Sequence, residues 1–446
     1  MNIKIIGTGY VGLITGLCLS LKHQVECVDI NTKIVEKINL GLPHLYEVGL
    51  EELLKKQLKS GNFKSILLKN LSLKGTDIVL ICVGTPSLED DSCDLNYVNS
   101  AIESIIPLLS NLKQNISIII KSTVPPGTVS SFITKKVREI YPLQSFPNIA
   151  FGMNPEFLRE GSAISDFLNP DRIVLGADSE ISQNHLIKLY KHFECPKIKV
   201  NSSTAEMIKY VNNSLLALQI SAVNEYANIC DGIENVDIRQ VMSGVLQDKR
   251  WQSNENAKIP PFIHSYLKAG CGFGGSCFPK DVKALSKFAS LNKVPTPLLE
   301  GTLSINENQP ASLVKKVSKI TDLKKAKVLL LGVSFKPNTD DIRDSPIHLF
   351  IKHFSFKGSK VFVHDPLVLE KLKSHPSSEY LGNKSYIKNF KEFLPTVEII
   401  VLITYWQCYL ELPSLITKKN QVILDSRGVF NSNDFPTSKY LTTGLR

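Results

Sequence analysis

The sequence predicts an α/β protein with two doubly wound parallel sheets and a helical segment between them. Three observations carry that expectation. Short, almost wholly apolar runs alternate with helical stretches in the first third; an uninterrupted helical pattern starts at Ser203; and the strand rhythm returns after Ala326. Short apolar runs bounded by turn residues read as strands buried on both faces, and such strands alternating with helices read as a parallel sheet covered on both sides.

Taken in order, the expected strands of the first sheet are Ile3–Gly7, Gln24–Ile30, Asp77–Val83, Ile116–Ser122 and Ile149–Met153. A long helix is expected from Ser203 to about Ile233, opened by a capping box in which Glu206 follows Ser203 by three places. The second sheet is expected from Lys327–Val333, Lys360–His364, Glu398–Ile403 and Val422–Asp425, with Asp344-Ser345-Pro346 marking a helix start. At 446 residues the chain is too long for one ordinary core. The division expected is a first sheet domain over 1–200, a helical domain over 201–315 and a second sheet domain over 316–446.

Composition excludes several classes. Hydrophobic residues make up 43% and charged residues 21%, the range of a globular protein. The stretch Met1–Leu21 is apolar but broken by Gly7, Gly9, Gly12 and Gly16, and it lacks the layout of a cleaved signal. No apolar run has the length of a membrane span, so the expected location is the cytoplasm, with no membrane partner. The formal charge of +10 invites a nucleic-acid reading, but only eight of the basic residues are arginine. Arginine's planar fork does most bidentate phosphate and base recognition, so a small anionic nucleotide is the better-fitting partner and nucleic acid is not expected. The nine cysteines are odd in number and unclustered, which is neither a disulfide framework nor a zinc set; no metal is expected.

Gly7-Thr8-Gly9-Tyr10-Val11-Gly12 follows the first strand and opens a helix. In a G-x-G-x-x-G turn the first glycine makes the bend, the second lets a pyrophosphate approach the backbone and the third packs helix on strand. The helix N-terminus then stabilises the phosphate charge. Asp29, at the end of the second strand, stands at the offset that bonds ribose hydroxyls and repels a 2′-phosphate, so the cofactor expected in this Rossmann-like domain is NAD.

Gly270-Cys-Gly-Phe-Gly-Gly-Ser-Cys277-Phe-Pro-Lys-Asp281 is the most unusual stretch. Four glycines lead into Cys277, and Pro279 marks a first helical turn. A thiol there is favoured as thiolate by the helix dipole and by Lys280, which makes Cys277 a candidate nucleophile, with glycines that let a ligand approach. The same stretch admits a plain turn with an inert thiol, or a Cys271–Cys277 pair, although no histidine or further cysteine lies close enough to complete a metal site. On the long helix, Glu206, Lys209 and Asn213 form a polar line at three- and four-residue spacing. That line is either a functional face or the ordinary solvated side of an amphipathic helix.

Six blocks in order then resemble the UDP-glucose/GDP-mannose 6-dehydrogenase family from end to end. They are Gly7–Gly12, Tyr46-Glu-Val-Gly-Leu-Glu-Glu, Lys121-Ser-Thr-Val-Pro-Pro-Gly-Thr, Asn154-Pro-Glu-Phe-Leu-Arg-Glu-Gly, Gly274-Gly-Ser-Cys-Phe-Pro-Lys-Asp and Gly332-Val-Ser-Phe-Lys. The resemblance implies an NAD domain, a dimer-building central helix and a C-terminal nucleotide-sugar domain. It implies two hydride transfers to two NAD molecules, with aldehyde and thioester stages held on Cys277.

By the same resemblance Lys209 and Asn213 stabilise an oxyanion, Asp281 handles water or protons, Glu156 activates the hydrolytic water and Thr123 positions water or cofactor. Thr85, Glu160 and Arg343 join the glycine turn and Asp29 on the cofactor side. Phe157, Leu158, Tyr266 and the loop through Gly274 line the nucleotide-sugar, as do Phe278, Phe335, Lys336 and Arg427. Arg250 matches an arginine that reaches a neighbouring subunit, although the stretch from Arg250 to Tyr266 is longer than the connector of the family's UDP-glucose members. Ser276 argues against the N-acetylhexosamine branch. The expected reaction is oxidation of UDP-glucose to UDP-glucuronate by a homodimer, with GDP-mannose or another UDP-hexose as the alternative substrate. The rivals are an inactive nucleotide-sugar-binding protein and a single-step hydroxyacid dehydrogenase.

Overall fold

The computed structural model describes residues 1–110, 112–252 and 262–445. The chain divides into two compact units, Met1–Asn212 and Asn213–Arg446.

In the first unit, β1 (Asn2–Ile6), β2 (Gln24–Asp29), β3 (Phe63–Leu67), β4 (Ile78–Ile81), β5 (Ile116–Ile120), β6 (Ile149–Met153), β7 (Ile173–Ala177) and β8 (Lys197–Val200) form one sheet. Its order is β3-β2-β1-β4-β5-β6-β7-β8. Alternate residues of the inner strands feed opposite cores: Val79 and Ile81 of β4 face one, Ile78 and Leu80 the other. Burial on both faces explains why these strands lack a polar–apolar alternation. The strand order reverses between β1 and β4, which opens a crevice at their carboxyl ends.

All five expected strands of this sheet form, with ends shifted by a residue or two. Three others went unforeseen. β3 and β8 lie at the two edges, where polar residues interrupt the apolar run. β7 pairs antiparallel with β6, so the sheet is parallel except at that one seam.

The long helix runs Ser202–Cys230. Its cap is not the expected Ser203–Glu206 box. Asn201 Oδ1 accepts the Thr204 amide at 2.8 Å, and Glu206 instead accepts the Gly127 amide at 2.5 Å and the Val129 amide at 2.8 Å. A glutamate three places into a helix reads as a cap only while nothing else is known of its surroundings, and here a turn of the first unit claims the carboxylate.

In the second unit, β9 (Lys327–Leu331), β10 (Lys360–His364), β11 (Ile399–Leu402), β12 (Val422–Asp425) and β13 (Lys439–Thr442) form a sheet of order β10-β9-β11-β12-β13, parallel throughout. The four expected strands are present and β13 is an addition at the edge. The helix start read at Asp344–Pro346 is also present, as the Ile347–Phe356 helix. Among the described residues no helix is long and apolar enough to cross a membrane.

Candidate functional site

The glycine turn has the geometry of a phosphate cradle. Gly7 has φ +94°, and its amide donates to Val28 O at 2.9 Å. A Cβ on Gly12 would stand 1.9 Å from Gly7 O, so only glycine lets the Tyr10–Leu19 helix rest on the turn. Gly9 is different: a Cβ there would meet nothing within 4 Å. Gly9 also caps the helix without any side-chain hydrogen bond, so the first helical amides, from Tyr10 and Val11 onward, are not capped by a side chain. A cleft of about 380 Å³ lies here, lined among others by Gly7, Gly9, Asp29 and Gly84. Asp29 accepts the Thr8 amide at 3.0 Å and the Thr8 hydroxyl at 2.5 Å on one oxygen, and the Asn31 amide at 2.9 Å on the other. Three of roughly four acceptor sites on the carboxylate are therefore used, which leaves one for a ribose hydroxyl. These residues fit NAD.

Thr85 and Thr123 sit in the turns that follow β4 and β5. The Thr123 carbonyl faces the Cys93 thiol at 3.9 Å. Glu160 is half-buried in the loop after β6, next to Gly161.

That same loop carries a buried ion pair. The Lys209 ammonium, 3% exposed, donates to Glu156 Oε1 at 2.9 Å and to Glu156 O at 2.8 Å. Glu156, 8% exposed, also accepts the Leu158 amide at 2.6 Å. Burial pushes the Glu156 pKa up, but the Lys209 charge and hydrogen bond, the Leu158 amide and Lys121 together hold it below the usual carboxylate range. The Phe157 ring lies 3.9 Å from the Arg172 guanidinium and 5.4 Å from the Lys209 ammonium. A small pocket is lined by Lys121, Glu156, Phe157, Leu158 and Arg172 among others.

Lys121 and Arg172 were given no role by the sequence reading. Lys121 donates to Asn154 Oδ1 at 2.9 Å, and Asn154 also accepts the Tyr190 hydroxyl at 2.5 Å. Burial lowers the Lys121 pKa. The available signal was a lysine set directly after the wholly buried Ile116–Ile120 strand, a position that demands a partner for the charge. The polar line of the long helix is also settled: Glu206, Lys209 and Asn213 are all buried, so it is not a solvated face.

In the second unit Cys277 is the N-cap of the Phe278–Leu291 helix, with Pro279 in the first turn, as expected. Its sulfur lies 3.6 Å from the Ser276 hydroxyl. One helical turn on, Asp281 is 1% exposed; Oδ2 accepts from Asn213 at 2.7 Å and Oδ1 from Lys280 at 2.6 Å. Lys280, which the sequence reading assigned to the thiolate, donates to Asp281, and the helix N-terminus at Cys277 favours a charged sulfur.

The loop's glycines are also closely packed by the rest of the unit. A Cβ on Gly274 would come 2.3 Å from Asp344 O, one on Gly275 (φ +83°) 2.8 Å from the Phe335 ring, and one on Gly272 (φ +97°) 2.5 Å from Asn306 Oδ1. They are required because the protein packs on them. Arg427 locks the same loop, donating to Ile403 O at 2.7 Å, Gly272 O at 3.2 Å and Phe335 O at 3.4 Å. Those three bonds leave two of the five guanidinium N–H groups for a ligand.

The other predicted residues of this unit have partners of their own. Phe278 packs against Tyr266 and Phe273, with ring centroids 6.2 and 6.0 Å away. The Lys336 ammonium lies 5.4 Å from the Phe335 ring. Arg343 is exposed and pairs with Asp341 at 2.8 Å. Arg250 is exposed and pairs with Asp248 two residues before it, and part of the long stretch that follows, 253–261, lies outside the described residues.

Comparison with known proteins bears on the whole chain. Residues 1–194 match the NAD binding domain, 203–308 the central domain and 329–432 the UDP binding domain of the UDP-glucose/GDP-mannose dehydrogenase family. A UDP-glucose 6-dehydrogenase of Bacillus subtilis is 36% identical over 420 residues, covering 93% of this chain and 89% of its own length. One of Rickettsia conorii is 36% identical over 441 residues, covering 97% and 96%. Among solved structures, a UDP-glucose dehydrogenase from the archaeon Pyrobaculum islandicum is 33% identical with a TM-score of 0.87, covering 100% of this chain and 98% of that one.

Proposed function

The chain belongs to the UDP-glucose/GDP-mannose dehydrogenase family and is an NAD-dependent oxidoreductase, and from that premise we propose that it oxidises UDP-glucose to UDP-glucuronate through covalent intermediates on Cys277. NAD supplies the hydride acceptor for each of two oxidations. The protein's part begins with removal of the sugar hydroxyl proton as the first hydride leaves, giving an aldehyde. The Cys277 thiolate adds to that aldehyde and forms a thiohemiacetal, whose carbon gives up the second hydride to become a thioester. Water then cleaves the C–S bond, releasing the carboxylate and returning the thiol. In sum one alcohol, one water and two NAD⁺ give one carboxylate, two NADH and three protons.

Roles follow from the partners on hand. Lys209 is the cation available to an alkoxide or oxyanion, and its pairing with Glu156 keeps that carboxylate ionised and able to activate water. Asp281, gripped by Asn213 and Lys280, is a fixed acceptor one turn beyond the sulfur. The observation that carries the reading is the cysteine itself: a half-exposed thiol at a helix N-terminus, on a loop whose shape only glycine permits. A single-step hydroxyacid dehydrogenase has no use for it. The names of the relatives favour glucose over mannose as the sugar. We also read the protein as a homodimer, because Met207, Val211 and Leu215 leave an apolar stripe of the long helix exposed at four-residue spacing.

The test is a panel of UDP-glucose, UDP-galactose, UDP-N-acetylhexosamines and GDP-mannose with NAD, read at 340 nm. UDP-glucose should give two NADH per sugar, and Cys277→Ser should lose acid formation while still binding NADH. Normal glucuronate output from Cys277→Ser would sink the covalent route, and preference for another sugar would reassign the substrate.

A further inference from the structure

Glu47 belongs to a block singled out in the sequence and given no role there. It lies between the Thr32–Asn39 and Leu50–Ser60 helices, and it is 6% exposed. Its carboxylate collects donors from two distant places. Oε2 accepts the Tyr10 hydroxyl and the Gly161 amide, the latter at 2.7 Å, and Oε1 accepts the Ala163 amide at 2.9 Å. Tyr10 is the first helical residue after the phosphate-binding turn. Gly161, at φ +83°, directly follows Glu160 and closes the loop that carries Glu156, Phe157 and Leu158. One buried side chain therefore ties the cofactor turn to the loop that bears the candidate water-activating carboxylate.

We propose that Glu47 is a positioning residue that fixes the glycine turn against the 156–161 loop and so sets the seat of NAD. A carboxylate suits this place because all three partners are donors and both of its oxygens only accept. Glutamine would present an NH₂ group to at least one donor, and the bond lost there is charge-assisted and buried, the kind most expensive to lose. Asp29 holds the turn at Thr8, and Glu47 adds a second hold at Tyr10, where the following helix begins without a side-chain cap. A phosphate site works through the aim of backbone N–H groups, and a loosened turn loses affinity without losing the fold.

The experiment is a fluorescence titration of NADH, without any sugar, on Glu47→Gln, Tyr10→Phe and the double variant, each with its melting temperature. Because no sugar is present, the outcome is independent of which nucleotide-sugar is the substrate. We expect Glu47→Gln to weaken NADH about tenfold, Tyr10→Phe about threefold, and the double variant no more than Glu47→Gln alone, since one strap is cut either way. A merely structural role would lower the melting temperature and leave the Kd of the folded protein unchanged. NADH affinity within twofold of the parent in Tyr10→Phe, or additive losses in the double variant, would overturn the proposal. Tyr10→Phe keeps the test decisive if Glu47→Gln does not fold.

Discussion

The first turns of the two sheets are built alike and used differently. After β1, Gly7 takes φ +94° and donates to Val28 O at 2.9 Å; after β9, Gly332 takes φ +94° and donates to His364 O at 2.9 Å. Each is followed, at the end of the neighbouring strand, by an aspartate that accepts backbone amides of the turn: Asp29 takes Thr8, and Asp365 takes Val333 at 2.7 Å and Ser334 at 3.3 Å. The divergence lies in what is left over. Asp365 also accepts Trp406 Nε1, Leu367 N and Val368 N, so its carboxylate is filled by the protein, whereas Asp29 keeps a lone pair. The helix starts at Tyr10 in the first case and not until Ile347 in the second. A strand, a left-handed glycine and an aspartate therefore do not make a dinucleotide site; an open second glycine and an immediate helix N-terminus do.

The largest loss is expected from a methyl group at the bend of the second sheet's turn. In Gly332→Ala the Cβ would lie 2.5 Å from Thr404 Cβ and 2.6 Å from Thr404 O, on top of the φ cost. We expect a loss of about 4 kcal/mol, seen by calorimetry as a melting transition many degrees lower or as insoluble protein. Asp365→Asn comes next. It turns an amide NH₂ toward at least one of five donors, for an expected cost of about 2–3 kcal/mol with NADH affinity unchanged. If Asp365→Asn weakened NADH while leaving the melting temperature alone, the two aspartates would not be divided as described.

Gly9→Ala sharpens the other side. Nothing stands within 4 Å of the added Cβ, so the fold should be indifferent, and the methyl group occupies space left for the pyrophosphate. We expect NADH to bind about tenfold more weakly with the melting temperature within about one degree of the parent, read by titration and scanning calorimetry.

How far the sequence reaches follows the same division. Every inner strand but β7, the glycine turn and Cys277 at its helix start were legible because each leaves a local mark: a wholly apolar run, a glycine spacing, a proline after a cysteine; β7 is as apolar and nearly as buried as its neighbours and was missed all the same. The edge strands β3, β8 and β13 were not legible, since half-exposed strands carry mixed residues. Long-range partners were the larger loss. Nothing near Glu206 in sequence points to Gly127, and nothing near Glu47 points to Gly161. The cysteine loop's glycines were found from their spacing, but the packing of Asp344 and Phe335 against them is invisible until the chain is folded.

The smallest effect expected concerns a third turn, Pro125–Thr128, which is held by a carboxylate rather than by glycine packing. Burial raises the Glu206 pKa to about 7, although the Gly127 and Val129 amides act to lower it. A carboxyl whose folded pKa exceeds its unfolded one binds more protons when folded, so between the two values stability falls as pH rises. The contribution is complete below the unfolded value near 4.5 and is lost as pH climbs through about 7. The parent should therefore melt a few degrees lower at pH 7.5 than at pH 5, once the shared pH trend is removed by comparison with Glu206→Gln, which cannot titrate. Identical pH slopes in the two proteins would mean that Glu206 is ionised in the folded state across the whole range, held there by the two amides. The third turn would then be gripped by a charge, as the first is by Asp29, and not by a carboxyl that shares its proton near neutrality.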